Sequence, residues 1–216
     1  MWHCNPVQWR FILVQYTDLS IKARVALCLV YAEKMIPTIK TLINRCDKGY
    51  AGKYSIWRQH TEHILELAWR HLQDKFYEDW SEMYRLCDAE QGFLSDVEEN
   101  GGYGWFEFVQ DLKCSDNEDN VTISDVMILC FYYALYNFAK RQQGEVLPQD
   151  LEWFDLEESE AETFSCIEEA ANFYMPHEDV KKIEKLREKL CKLFPFDESD
   201  PYGKDISREF MYSVLL

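Results

Sequence analysis

Residues 18–46 read DLSIKARVALCLVYAEKMIPTIKTLINRC. Ile21, Val25, Cys28, Leu29, Ala32, Met35, Ile36, Ile39, Leu42 and Ile43 recur at steps of three and four and cover most of a helix circumference. That period predicts a helix, and a helix apolar nearly all round belongs in the centre of a fold. Asp18 or Ser20 is the candidate N-cap. Pro37 lacks an amide hydrogen, so it should kink the helix or begin a new one.

The pattern extends outward in both directions along the chain. Lys48 to Gly52 reads as a loop with two glycines. Helices are expected over 55–73, with Trp57, Ile64, Leu67, Ala68 and Leu72 near one face, and over 74–90. From 92 to 120 glycines and acids break the regularity around YGWFEFVQDL, which fits a short helix or strand. TISDVMILCFYYALYNFAKRQ, 122–142, is a second apolar helix, capped by Thr122 or Ser124. Further helices are expected over 159–175, 177–193 and 207–216. Alternation bounded by hairpin turns is nearly absent. The reading is all-α: residues 1–216 as a single compact domain of about eight helices, two of them central and apolar.

Charge is unevenly placed. The net charge is −16. Residues 1–72 carry five acids and ten Lys or Arg, residues 73–180 carry 27 acids and five, and residues 181–216 carry seven and eight. The excess therefore lies in the middle of the chain, where 92–162 is both acidic and aromatic. Such a field attracts basic partners and repels nucleic acid and anionic lipid. Two segments stand out. The first holds Trp105, Glu107, Asp111, Asp116, Glu118 and Asp119. The second, DLEWFDLEESEAE over 150–162, has seven carboxylates in thirteen positions around Trp153 and Phe154. Its candidate partner-binding residues are Glu152, Trp153, Asp155, Glu157, Glu158 and Glu160. Aromatics anchor interfaces, and surrounding carboxylates steer a cationic partner. Packed cores and solvated surfaces also use these residue types.

Catalytic patterns are weak. His60, His63 and Glu66 fall three apart on a helix and could ligate a metal, which would suit a metal-dependent hydrolase on a helical bundle. The paired Glu-x-x-His pattern of a di-iron bundle is missing, and surface histidines are the plainer reading. The segment from Asp116 imitates a calcium loop for five positions, but Val121 stands where glycine is needed and Met127 where the last glutamate belongs. GGYGW lacks the lysine and hydroxyl of a phosphate cradle. No cofactor, metal or catalytic residue is expected.

YAEKMIPTIKTL (31–42), ILELAWRHL (64–72) and SDVMILCFYYALYNFA (124–139) resemble a family of all-helical bacterial immunity proteins. These guard polymorphic-toxin loci of the contact-dependent inhibition type and form the sixth numbered immunity family. The shared text covers about the first 140 residues: an Ala-Glu pair before a proline, a Trp in the next helix, then a long apolar helix. The resemblance implies a cytoplasmic, non-enzymatic protein that binds and neutralises a cognate secreted toxin. Nuclease toxins must bind phosphate, so an acidic, aromatic inhibitor suits their basic clefts. The acidic tract matches nothing in the family pattern. A generic acidic protein-interaction adaptor is the remaining alternative.

No basic, apolar and cleavage-site sequence opens the chain, and the longest apolar run, Val126 to Ala139, is too short to span a bilayer. A membrane association is therefore not expected. Eight cysteines, at 4, 28, 46, 87, 114, 130, 166 and 191, form no C-x-x-C. Cys28 and Cys130 lie within apolar runs, where a thiol behaves as a small hydrophobe. Reduced thiols and a cytoplasmic location are expected. Thiol titration of freshly prepared protein under denaturing, non-reducing conditions should find all eight free; recovery of four disulfides would contradict that location.

Overall fold

The computed structural model of the protein describes residues 16–45, 51–73, 130, 133–138, 141 and 156–215, with the backbone alone at 39, 42–45, 51–57, 60 and 156–162. Six helices lie among these residues: α1 (Ile21–Arg45), α2 (Ala51–His71), α3 (133–138), α4 (Leu156–Tyr174), α5 (His177–Leu193) and α6 (Arg208–Leu215). The architecture is helical, as expected. Among the described residues the sole extended pairing is an antiparallel bridge between Leu19 and Pro195. The expected helix over 74–90 and the YGWFEFVQDL segment lie outside the described residues.

α1 is the hub. Every residue from Lys22 to Ala32 is buried, and α1 packs on α2, α4, α5 and α6. Ile64, Leu67 and Ala68 of α2 and Leu72 just after it are buried with it, joined by Cys130, Tyr133, Ala134 and Leu135 around α3. α5 contributes Val180, Ile183, Leu186 and Leu190, and α6 adds Met211 and Leu215. Pro37 does not end α1, which runs unbroken from Ile21 to Arg45. The Thr38 hydroxyl next to it donates to the Tyr174 carbonyl at 3.0 Å, satisfying an end group of α4. α2 begins at Ala51, so Gly52 lies inside a helix and not in the expected loop. A helical glycine costs about 1 kcal/mol, less than α2 recovers by burying its apolar face.

Contacts set the directions. Ser20 meets Phe194 and Lys34 meets Asp179, so α5 runs antiparallel to α1. α4 turns into α5 through Met175 and Pro176, with Glu168 facing Arg187, so these two form an antiparallel pair. α4 therefore runs parallel to α1, and its first turns lie at the end of the bundle where α1 begins.

That end is closed by the strap from 194 to 207. The first amides of a helix have no partners within it. Here Ser20 N donates to Phe194 O at 3.0 Å, Ile21 N to Pro201 O at 2.9 Å and Lys22 N to Tyr202 O at 3.1 Å. Ala23 N reaches Ser20 Oγ at 3.4 Å, so Ser20, and not Asp18, is the side-chain cap. Phe196 N completes the bridge to Asp18 O at 2.7 Å. Gly203 makes this approach possible: its φ is +73°, and a Cβ there would lie 2.6 Å from Ser20 Cβ.

The buried cations Lys22 and Arg24 sit in the first turns of α1, the end of a helix whose dipole disfavours positive charge. Lys22 Nζ is held by Asp205 Oδ1 at 2.7 Å. Arg24 donates to the carbonyls of Leu19 at 2.9 Å and Thr17 at 3.1 Å, and lies over the Phe196 ring.

Two substitutions test this architecture. Gly203→Ala combines a left-handed backbone with a clash against Ser20, and should lower stability by about 2 kcal/mol or more in a denaturant melt. Leu29→Asp or Leu135→Asp, each placing a carboxylate at a fully buried position, should prevent folding. A soluble Leu29→Asp protein with unchanged circular dichroism would show that the α1 face is not a core.

Candidate functional site

Two carboxylates organise the polar interior. Glu33 sits on α1 with its side chain 6% exposed. Its Oε1 accepts from Trp69 Nε1 of α2 at 2.7 Å and from Arg208 Nε of α6 at 2.9 Å, and its Oε2 accepts from the Tyr212 hydroxyl. One carboxylate thus ties three helices together. Glu168 on α4 is the second. Its Oε1 accepts from the Tyr16 hydroxyl at 2.5 Å and from Arg187 Nη1 of α5. Arg187 Nη1 also lies 3.3 Å from the Tyr16 hydroxyl, and its guanidinium stands over the Tyr16 ring. Tyr16 stacks on Phe164 with centroids 3.9 Å apart, and Phe164 meets Tyr133 edge-on.

The environment sets the ionisation of these groups. Burial is the main reason the Tyr16 phenol is raised well above its ordinary value of 10.0, with Tyr31 and the Glu168 carboxylate adding to it. Tyr31 is raised for the same first reason, with Glu168 next. Tyr212 is raised by burial and by its hydrogen bond to Glu33. Burial works against the Arg187 charge, but Tyr16 and Glu168 outweigh it and hold the guanidinium above its usual value. These arrangements satisfy internal acceptors and join helices. Charged groups tied this way act first as structural joints.

Most of the sequence-predicted partner residues are not among the described ones. Trp105, Glu107, Asp111, Asp116, Glu118, Asp119, Glu152, Trp153 and Asp155 are outside the described residues. Glu157, Glu158 and Glu160 are on described backbone, in the opening turns of α4. α4 begins at Leu156, three residues before the expected start at 159. Carboxylates are favoured in a helix's first turn, where they meet the positive end of the dipole. Part of this acidic run is thereby explained by local helix chemistry.

Of the candidate metal ligands, the side chains of His63 and Glu66 are described. Among the described residues no group of His, Cys, Asp and Glu could hold a metal ion. His63 and Glu66 are exposed, and Glu66 Oε1 accepts from Arg70 Nε at 3.1 Å one turn along the helix. The His60 side chain lies outside the described residues. Among the described residues Cys28, Cys130, Cys166 and Cys191 form no disulfide, and Cys28 and Cys130 are buried as their apolar neighbours predict. Among the described residues no helix is long and apolar enough to cross a membrane.

The sequence reading missed Glu33 and Glu168 as polar centres. A signal existed for Glu33: it is the one carboxylate between Ile21 and Arg45. A lone carboxylate in an apolar stretch needs donors from outside its helix. Glu168 gave no such signal, because Glu169 follows it and further glutamates precede it.

Compared with known proteins, the chain matches no family model, no curated protein sequence and no solved structure.

The raised phenols give a pH prediction. Tyr16, Tyr31 and Tyr212 keep their protons in the folded protein above 10.0, where the unfolded chain gives them up. The folded state then binds more protons, so stability falls as pH rises. Their contribution is complete below 10.0 and is lost as pH climbs toward their folded values. Phenolate absorbance followed with far-ultraviolet dichroism should show some of the thirteen tyrosines titrating only as helix is lost. Complete titration of all of them while the helix signal stays intact would place these phenols in water.

Proposed function

We propose that the chain is a cytoplasmic immunity protein that binds and neutralises a cognate secreted bacterial toxin, acting by binding and not by catalysis. The observation that carries this reading is the separation of charge along the sequence: 27 acids against five bases over 73–180, against nearly balanced charge from 181 to 216. A surface of that sign raises the encounter rate with a basic partner and disfavours nucleic acid and anionic membrane. A nuclease toxin has the matching property, since its cleft must attract phosphate. The resemblance of 31–42, 64–72 and 124–139 to immunity proteins supports the same class.

Within this reading the charged residues divide into two groups. Glu33 and Glu168 are engaged inside the helical scaffold. Glu107, Asp111, Asp116, Glu118 and Asp119, with Glu152, Asp155, Glu157, Glu158 and Glu160, steer the partner, while Trp105 and Trp153 anchor it. The arrangement needs no cofactor.

The first test is whether the gene lies directly downstream of a region encoding a large secreted toxin's C-terminal domain; with that domain in hand, binding kinetics are measured at several salt concentrations. Replacing Asp155, Glu157, Glu158 and Glu160 together with Ser should slow association and flatten its salt dependence. Each acid lost from the first turn of α4 also removes about 0.3–1 kcal/mol of dipole stabilisation, offset by relieved repulsion. Trp153→Ala or Trp105→Ala should instead speed dissociation, costing about 2 kcal/mol or more. Undiminished protection by both kinds of variant would move the interface elsewhere and remove the charge argument.

A further inference from the structure

We propose that Arg187 is a positioning residue, which through Glu168 holds the acidic first turns of α4 in helical form at the end of the bundle where α1 begins. The purpose assigned to those turns rests on the immunity reading; the clamp itself can be measured without any partner.

The opening turns of α4 are poorly suited to stand alone. LEESEAE, 156–162, places Glu157 three residues from Glu160 and Glu158 four from Glu162. Those are the spacings at which like charges on a helix repel. The first turn gains from the helix dipole, but that effect fades beyond it, and no base lies in the last turn of α4. Helix in this stretch must therefore propagate from a secured segment further along, since each added residue extends an existing ladder and none nucleates its own.

The secured segment is 163–171. Thr163, Phe164, Ile167, Ala170 and Ala171 are buried against the core. Glu168, in the middle of it, is bound by Arg187 and Tyr16, and its side chain is 16% exposed against 14% for Arg187. A second observation indicates what sets the guanidinium's position. Arg187 Nε is buried and has no hydrogen-bond partner among the described residues. An orphaned buried donor is costly, so the pose is dictated by the bonds at Nη1 to Glu168 and Tyr16 and not by the satisfaction of Arg187 itself. Arg187 belongs to α5, whose buried Ile183, Leu186 and Leu190 fix it to the core. The clamp thus joins the acidic helix to a helix whose apolar stripe is seated on the core.

The experiment is amide hydrogen exchange on the full chain, comparing the wild type with a Glu168→Gln, Arg187→Met double variant, which leaves no unpaired charge buried, and with Arg187→Lys, which keeps the cation. In the double variant, amides of 156–167 should exchange faster by roughly tenfold or more, while α1 and α5 keep their protection. Arg187→Lys should restore much of the difference. Unchanged exchange at 156–167, or an equal loss throughout α1 and α5, would overturn the proposal, the second by showing only global destabilisation. The partner reading is judged separately. If the Ser-substituted acidic tract loses toxin binding while exchange in the double variant is unchanged, the immunity reading stands and the clamp fails; the reverse pair of results sinks the reading and keeps the clamp.

Discussion

A helix that begins inside a protein must find acceptors for its first amides where water cannot supply them, and the rest of this structure is arranged around that need in α1. Ser20 is fully buried, and the amides of Ser20, Ile21 and Lys22 are answered by carbonyls of Phe194, Pro201 and Tyr202. Those acceptors come from the far end of the chain. The start of the central helix is therefore complete only when the strap has returned to it. Without the strap, the buried donors would each cost about 1–3 kcal/mol. Gly203 and the Asp205–Lys22 pair make the strap's close approach possible, and Phe194 packing edge-on against Phe210 leads directly into α6.

The two largely buried carboxylates, Glu33 and Glu168, extend the same logic to the middle of the bundle. Hydrophobic burial is non-directional and would tolerate sliding of α2, α4, α5 and α6 along α1. A carboxylate with several fixed donors does not. Glu33 sets α1 against α2 and α6, and Glu168 sets α4 against α5 and the residues preceding α1. Burying such ions adds little net stability, but removing one partner is expensive, so they select one arrangement over its near neighbours.

This division explains what could be read from the sequence. The central helix was legible because its apolar positions nearly close the circle, and α5 was legible to the residue because HEDV opens it and Val180, Ile183, Leu186 and Leu190 keep one stripe. The burial of Cys28 and Cys130 followed from their neighbours. Of the two readings of Pro37, a new helix did not follow: α1 continues through it, with Thr38 binding the end of α4 and Met35 buried beside it. Lys22 and Arg24 were illegible as buried residues, since their acceptors are an aspartate at 205 and local carbonyls that no periodicity reveals. The candidate interface was read from charge and aromatic content, and of its residues the structure places the backbone of Glu157, Glu158 and Glu160 in a helix.

That placement changes what the acidic tract means physically. In a flexible tail, carboxylates would contribute charge and little else, and ordering them on a partner would cost entropy with each residue fixed. At the start of a helix whose next turns are packed, part of that cost is met in folding, which is what the proposed partner binding would draw on. The opposing requirement is that like charges at helical spacing strain the very turns that carry them. Burial of Phe164 and Ile167 and the bonds at Glu168 counter that strain from inside the fold. In the proposed clamp the internal ion pair and the acidic opening turns are thus two parts of one electrostatic arrangement: Glu168 is paired with Arg187 inside the fold, and the helix ahead of it propagates from that secured point.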